Sequence, residues 1–102
     1  MGAPSSAPLA KVFVLDVAGV RQAALIKRIA YGEGRERCRV HIRGDVNVRS
    51  VDPALVFADE DVARAHWRRA CSHRAELERA GCRIRVIDAH LSLALADREL
   101  AL

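Results

Sequence analysis

The chain has 102 residues, 51% of them apolar and 4% aromatic, and a formal net charge of +4. This length suffices for one compact domain and is too short for two. No apolar run approaches the roughly 18 residues that a membrane-spanning helix needs, so we expect no membrane partner. Residues 1–10 lack the charged and apolar regions of an export signal. We predict a flexible tail over residues 1–10 and a single domain over residues 11–102.

Cysteine usage indicates a reducing compartment. The three cysteines, Cys38, Cys71 and Cys82, form no CxxC pair and no other metal-ligand spacing. An odd number of cysteines without such spacing is typical of free thiols in the cytoplasm, where we expect this protein to reside. The sequence predicts no metal site, and no cofactor is expected.

The first half of the chain predicts a strand, a helix and a strand. Residues 11–16 are short, β-branched and nearly continuously apolar, as in a strand buried on both faces. Residues 20–31 place Leu25, Ile26 and Ile29 on one helical face and precede glycines that would stop a helix. Residues 37–43 alternate between apolar and basic side chains, which predicts a strand with one wet face.

The second half predicts the longest helix and two further strands. Residues 59–80 begin with three acidic residues and are followed by Gly81, both typical helix boundaries. Residues 82–87 alternate and predict a strand. Leu91, Leu93 and Leu95 recur at period two, which favours a strand over residues 90–96, although every residue there is also tolerable in a helix.

These elements predict a fold of the α/β class. We expect a single small domain with three to five mostly parallel strands packed on two main helices, 20–31 and 59–80. The predicted core consists of Leu25, Ile29, Trp67 and Leu77 from the helices and Val12, Val14, Val40, Ile42, Ile84 and Val86 from the strands.

Arginines dominate the basic residues and occupy alternate positions in two of the predicted strands. Fifteen of the seventeen basic side chains are arginines, which suit bidentate contacts to phosphate or carboxylate. Burying them unpaired would be prohibitive, so one face of the sheet must meet water, acidic groups or a partner. The functional hypothesis is an anion or nucleic-acid surface, and the alternative is a solvated face. The candidate anion-binding residues are Arg37, Arg39, His41, Arg43, Arg83 and Arg85.

The long predicted helix carries histidines within its apolar stripe. His66 and His73 share that stripe with Trp67, and their seven-residue separation places their Cα atoms about 10 Å apart, too far for one shared metal. They are either core or boundary histidines with hydrogen-bond partners, or part of an interface between copies of the chain. The second interpretation makes His66, Trp67 and His73 candidate interface residues of a homo-oligomer.

His90, Ser92 and Asp97 have the spacing of the HxKxxxxD signature, and the preceding helix and strand are also similar to its usual setting. The chain thus resembles a half-domain of the phospholipase D superfamily with a degenerate motif, because Ser92 replaces the lysine that clamps phosphate. The resemblance implies a non-catalytic domain that binds a ligand or partner. If activity is retained, it implies His90 and Asp97 as catalytic residues.

Two other resemblances depend on the predicted β-α-β order. Residues 12–21 followed by a helix are similar to the opening of barstar-type ribonuclease inhibitors, and the order and length suit DsrE-type sulfur-relay proteins. Neither resemblance extends to the acidic inhibitory helix or the loop cysteine that those families carry.

The sequence favours a binding or regulatory module without catalytic activity. Its expected partners are another copy of the chain and an anionic ligand, a protein or a nucleic acid. The alternatives are a phosphodiesterase-like hydrolase using His90, a sulfur-relay-like protein and an inhibitor-like protein.

Overall fold

The computed structural model describes residues 9–100, so most of the predicted tail at residues 1–10 lies outside the described residues. Its elements are the strands β1 (Ala10–Asp16), β2 (Gly19–Ala30), β3 (Glu36–Ile42), β4 (Arg49–Val51) and β5 (Val56–Phe57) and the helices α1 (Glu60–Arg79) and α2 (Val86–Leu100). A short 3-10 turn at Pro53–Leu55 connects β4 to β5. The strands form one sheet in the order β4-β3-β2-β1-β5.

Every pair of neighbouring strands in this sheet is antiparallel, so the prediction of mostly parallel strands is wrong. Short connections explain the difference. Only residues 17–18 separate β1 from β2, and residues 31–35 separate β2 from β3. A parallel pair needs a crossover of a dozen or more residues, whereas an antiparallel pair is closed by a tight turn. Gly19, with a φ of 115°, supplies the left-handed backbone that the first turn requires.

The predicted helix over residues 20–31 is wrong, because this segment is strand β2. Its alanine, leucine and lysine residues favour helix locally, but β2 is hydrogen-bonded to β1 on one side and to β3 on the other. The pairing with β3 shifts between Leu25 and Lys27, so Ile26 is an extra residue in the strand. This β-bulge breaks the period-two alternation and leaves a spacing of apolar residues that imitates a helix.

The two strands predicted after Gly81 are also wrong. Residues 82–85 are irregular, and α2 begins at Val86, covering the segment expected to be a strand at 90–96. Val86, Ala89 and His90 are buried at helical spacing, whereas Leu95 is 57% exposed. The spacing of Leu91, Leu93 and Leu95 at every second residue therefore does not correspond to the buried face of a strand.

Three predicted elements are confirmed. The strands at 11–16 and 37–43 correspond to β1 and β3, and the helix at 59–80 corresponds to α1. The Asp59 carboxylate caps α1 by accepting hydrogen bonds from the backbone N–H groups of Asp61 and Val62, at 2.7 and 3.2 Å. The capping residue and the acidic residues of the first turn are visible in the sequence, which explains why the start of α1 is predicted correctly.

The sheet curls so that its two edge strands approach each other. Only residues 52–55, including the 3-10 turn, separate β4 from β5. In a flat sheet these strands would be four spacings, about 19 Å, apart, which such a short connection hardly spans. The inner, concave face is apolar and buried, and it comprises Val12, Val14, Ala23, Cys38, Val40 and Ile42. Four of the predicted core residues, Val12, Val14, Val40 and Ile42, thus lie in this inner core, and a fifth, Val86, is buried in α2.

The helices cover only part of the outer face of the sheet. α1 packs against β1, β2 and β5, while α2 packs against α1 and the 3-10 turn. Leu15, Leu55 and Ala63 are the buried centre of this second core, with Phe13 and Trp67 packed around them. The outer face of β3 lies away from these helix contacts and carries the residues of the candidate site.

Candidate anion-binding surface

Strand β3 separates its side chains cleanly between the two faces of the sheet. Cys38, Val40 and Ile42 are fully buried on the inner face. The alternate positions point outward, where Arg37 is half-buried and Arg39 and His41 are exposed, as is Arg43 just beyond the strand. Period-two geometry therefore places four of the six predicted anion-binding residues on one outer row.

Neighbouring strands add two lysines to this row. Lys27 of β2 is the register partner of Arg39, and Ala24 of β2 pairs with both His41 and Lys11. Directly paired residues of antiparallel strands share a face, so both lysines point outward with the arginines. We call this surface the basic face, and it comprises Lys11, Lys27, Arg37, Arg39, His41 and Arg43.

The polar contacts of the basic face fix two of its side chains and leave the others available. Arg37 donates hydrogen bonds to the hydroxyl and the backbone carbonyl of Ser50, at 3.2 and 2.8 Å. His41 Nε2 lies 2.8 Å from the backbone carbonyl of Asp45, which must accept, so this nitrogen carries the hydrogen. Within residues 9–100, none of the observed ion pairs involves a residue of the basic face.

Arg83 and Arg85 do not belong to the basic face. They lie in the irregular segment between α1 and α2, because the strand expected to carry them does not form. Arg85 instead makes an ion pair with Asp88, whose carboxylate lies 2.9 Å from Arg85 Nε. The structure thus divides the predicted cluster of six residues into a group of four on the sheet and a pair at the helix connection.

A second group of polar residues lines a small cavity of about 240 Å³ between β5, α1 and α2. His66 stacks on Phe57 with 4.7 Å between ring centroids, and His90 meets the His66 ring edge-on at 5.4 Å. His90 is only 4% exposed, and its Nε2 lies 2.7 Å from the backbone carbonyl of Ala54. Because a carbonyl oxygen can only accept, Nε2 donates this hydrogen bond.

An ion pair lies at the rim of the same cavity. Arg69 donates from both of its amino groups to the two carboxylate oxygens of Asp97, at 3.0 and 3.3 Å. These hydrogen bonds lower the pKa of Asp97. Burial, together with the positive charge of Arg69 and the adjacent His90 ring, lowers the pKa of His66. The two residues of the degenerate motif, His90 and Asp97, are thus brought together with His66 and Arg69.

The predicted interface residues make contacts within the chain. His66 stacks on Phe57, and Trp67 packs into the core cluster around Leu15. His73 is partly exposed, with its Nδ1 4.0 Å from a carboxylate oxygen of Glu76. The internal packing of His66 and Trp67 accounts for their place in the apolar stripe, and a homodimer stays a prediction.

Sequence reasoning missed the lysines of the basic face. Lys11 opens a strand that reads as buried on both sides, and Lys27 lies in a segment that was predicted to be helical. Only the strand register places Lys27 beside Arg39 and Lys11 across Ala24 from His41. Lys11, Phe13 and Leu15 share the outer face of β1, but the sequence does not reveal this because apolar residues occupy both faces of the strand.

Comparisons with family models, curated proteins and solved structures found no match to this chain. The relationship to the phospholipase D superfamily therefore stays a hypothesis. The two weaker resemblances lose the β-α-β order on which they depended, since residues 10–42 form three antiparallel strands. Over residues 9–100, no cluster of His, Cys, Asp and Glu side chains fits a metal ion, and no helix has the length and apolar character to span a bilayer.

Proposed function

We propose that this protein is a non-catalytic binding module that recognises the phosphate backbone of a nucleic acid through its basic face. The observation that carries the proposal is the alignment of Lys27 beside Arg39 and of Lys11 and His41 on either side of Ala24. The described part of the chain supplies no carboxylate ion pair to these side chains. The positive charge of Lys11, Lys27 and Arg39 is therefore available to an external anion.

The spacing of the basic face suits a row of phosphates better than a single small anion. Outward residues recur about every 7 Å along a strand, and neighbouring strands lie about 5 Å apart. Arginine presents a planar fork that matches phosphate oxygens, and lysine adds a point charge. The extended array is thus matched to a polyanion with regularly repeated charges.

The positions of the aromatic residues favour backbone contacts over base contacts. Phe13, Phe57 and Trp67 pack in the core cluster beneath the helices, and exposed Tyr31 lies just beyond the end of β2. The basic face consequently offers no aromatic platform for stacked bases. Contacts to phosphate alone position a protein without reading sequence, so we expect weak sequence preference. Free thiols at Cys38, Cys71 and Cys82 accord with a cytoplasmic location, which belongs to the same proposal.

Replacing Lys27 and Arg39 together by glutamine is expected to weaken nucleic-acid binding about tenfold at low salt, because two phosphate contacts and their counterion release are lost. Fluorescence anisotropy with a labelled oligonucleotide of about 20 nucleotides measures the affinity. The wild-type binding constant should fall linearly with salt concentration on a logarithmic plot. Both side chains are exposed, so the variant should retain the stability of the wild type.

The matched control is the double variant Arg83→Gln and Arg85→Gln, which removes the same net charge from a different surface. We expect this control to bind within about threefold of the wild type, because long-range electrostatics alone changes. Equal losses of affinity in both double variants would show that binding depends on the net charge of the protein and not on the basic face. A wild-type protein that fails to bind DNA or RNA at low salt, or prefers an acidic protein, contradicts the proposal.

A phosphodiesterase-like hydrolase using His90 is the second candidate function. Its support is the convergence of His90 and Asp97 with His66 and Arg69 in one cavity. Two features favour binding over catalysis: His90 is almost fully buried, and the guanidinium of Arg69 is already occupied by Asp97. A nucleophilic histidine must reach phosphorus, and a phosphate clamp must have donors to offer.

We expect no turnover of a chromogenic phosphodiester by the wild-type protein. The measurement is release of nitrophenolate from bis(4-nitrophenyl) phosphate over several hours. Hydrolysis that is abolished in the His90→Gln variant and retained in a His73→Gln variant of the same preparation would establish the hydrolase instead.

A further inference from the structure

A groove crosses the outer face of the sheet where β1, β2 and β3 lie side by side. Its volume is about 400 Å³, and the residues lining it include Lys11, Gln22, Ala24, His41 and Arg43. Ala24 forms the floor, since it is the register partner of Lys11 on one side and of His41 on the other. Because each strand spacing is about 5 Å, the two walls are about 10 Å apart across a single methyl group.

Backbone and side-chain contacts hold the residues around this floor. The backbone N–H of Arg43 donates to the carbonyl of Gln22 at 2.9 Å, and the Arg43 carbonyl accepts from Arg21 Nη2 at 3.0 Å. The Lys11 ammonium lies 5.7 Å from the centroid of the Phe13 ring, a cation–π contact that restricts its position. His41 is fixed by its hydrogen bond to the Asp45 carbonyl.

The chemistry of the groove matches that of one phosphate group. Lys11 offers an ammonium, Arg43 a guanidinium fork and Gln22 an amide N–H, so donors approach from three adjacent strand positions. The small Ala24 side chain leaves space between them that a larger residue would fill. Among residues 9–100, the observed ion pairs leave both Lys11 and Arg43 without a carboxylate partner.

From this geometry we infer that the groove is a discrete subsite for a single phosphate, held between Lys11 and Arg43 above Ala24. The inference rests on the proposed function in one respect: it takes the phosphate to be a phosphodiester of the nucleic-acid backbone. A free phosphate monoester presents the same oxygens and is the other source of this ligand. The subsite anchors the backbone at one end of the basic face, and Lys27 and Arg39 continue the contact.

The test combines inorganic phosphate and an oligonucleotide with the double variant Lys11→Gln and Arg43→Gln. In the wild type, amide NMR signals of residues 22–24 and 41–44 should shift saturably with inorganic phosphate, and the variant should lose these shifts. The variant should also reduce the slope of the logarithmic salt dependence for the oligonucleotide by about 2. The control is the double variant Arg64→Gln and Arg68→Gln on α1, which removes the same number of charges. It should change neither the amide shifts nor the slope of the salt dependence.

The outcomes separate the subsite from the proposed function. Shifts that do not saturate, or that spread evenly over the basic face, overturn the subsite while oligonucleotide binding can persist. Saturable phosphate shifts without any oligonucleotide binding support the subsite with a phosphate monoester as its ligand and contradict the nucleic-acid function. Circular dichroism of each variant verifies that the fold is retained, and single Lys11→Gln and Arg43→Gln variants replace the double variant if it is not.

Discussion

We expect the His90→Ala variant to lose about 2–4 kcal/mol of unfolding free energy, because a buried ring is removed and a hydrogen bond is broken. His90 joins α2 to the 3-10 turn by donating to the Ala54 carbonyl at 2.7 Å. Its ring also meets Phe57 and His66 edge-on, with centroids 5.9 and 5.4 Å away. Urea denaturation followed by circular dichroism at pH 8 measures the loss.

The control for this prediction is Ser92→Ala on the same helix, where the side chain is exposed. A surface change of this kind should alter stability by no more than about 0.5 kcal/mol. If His90→Ala is as stable as Ser92→Ala, the contact between α2 and the 3-10 turn does not contribute to the stability of the fold.

The same cluster should make the fold sensitive to acid. Burial, His90 and Arg69 lower the pKa of His66 below its ordinary value of 6.5, against a smaller opposing effect of Asp97. The unfolded chain therefore binds a proton at His66 before the folded chain does, as the pH falls below 6.5. Stability is fully retained above that pH and declines below it.

The His66→Phe variant should show a weaker loss of stability between pH 7 and pH 5 than the wild type. Phenylalanine can keep the stacking on Phe57 and cannot take up a proton. His73→Phe on the same helix is the matched control and should retain the wild-type pH dependence. If the stability of the wild type and of His66→Phe depends on pH in the same way, protonation of His66 is not coupled to folding.

We expect Asp16→Asn to lose about 2–3 kcal/mol of unfolding free energy, a large effect for one polar side chain. Asp16 is buried at the end of β1 and accepts from Arg21 at 3.2 Å and from Arg49 at 3.1 Å. Arg49 also reaches Asp45 at 2.8 Å, so two carboxylates and two guanidinium groups tie β1, β2 and β4 together. Neutralising Asp16 leaves Arg21 and Arg49 sharing one carboxylate, that of Asp45, although their partial exposure to water moderates the cost.

The contribution of Asp16 to the unfolding free energy should disappear at low pH. Burial alone raises the pKa of this carboxyl, but the Val17 backbone N–H and the Arg21 and Arg49 guanidinium groups outweigh burial and lower the pKa below its ordinary value of 3.8. The stabilisation is thus present above pH 3.8 and is lost as the pH falls through the lower folded-state value. In urea denaturation, the difference in unfolding free energy between the wild type and Asp16→Asn should become smaller over that pH range.

Glu60→Gln is the control for the Asp16 prediction, because it breaks the exposed pair between Glu60 and Arg64. Such a pair within one helix is worth about 0.3–0.5 kcal/mol. If Asp16→Asn costs no more than Glu60→Gln, the network at the end of β1 behaves as an ordinary surface ion pair.

Local sequence patterns were sufficient to predict the elements whose local preference agrees with their tertiary environment. Strand β3 alternates from Arg37 onward: Cys38, Val40 and Ile42 are fully buried, while the outward residues between them are basic. Helix α1 has a capping Asp59, acidic residues in its first turn and a glycine beyond its end. In both elements the local preference agrees with the tertiary environment, so the sequence alone was informative.

Local patterns failed where the tertiary environment overrode them. Strand β2 contains good helix formers and a bulge at Ile26, yet hydrogen bonds to β1 and β3 hold it in the sheet. In α2 the recurrence of leucines favoured a strand, but packing on α1 and the 3-10 turn selected the helix. Pairing between distant residues supplies the energy that decides such ambiguous segments, and a single sequence does not display that pairing.

The alternation along β3 is enough to predict a row of arginines turned away from the core, since guanidinium groups cannot be buried unpaired beside Val40 and Ile42. Which other residues join that row depends on how the strands pair. Strand register brought Lys11 and Lys27 to it, while the absence of a strand at residues 82–85 removed Arg83 and Arg85. A one-residue change of register would reverse the face of every side chain, so the composition of the basic face depends on long-range pairing.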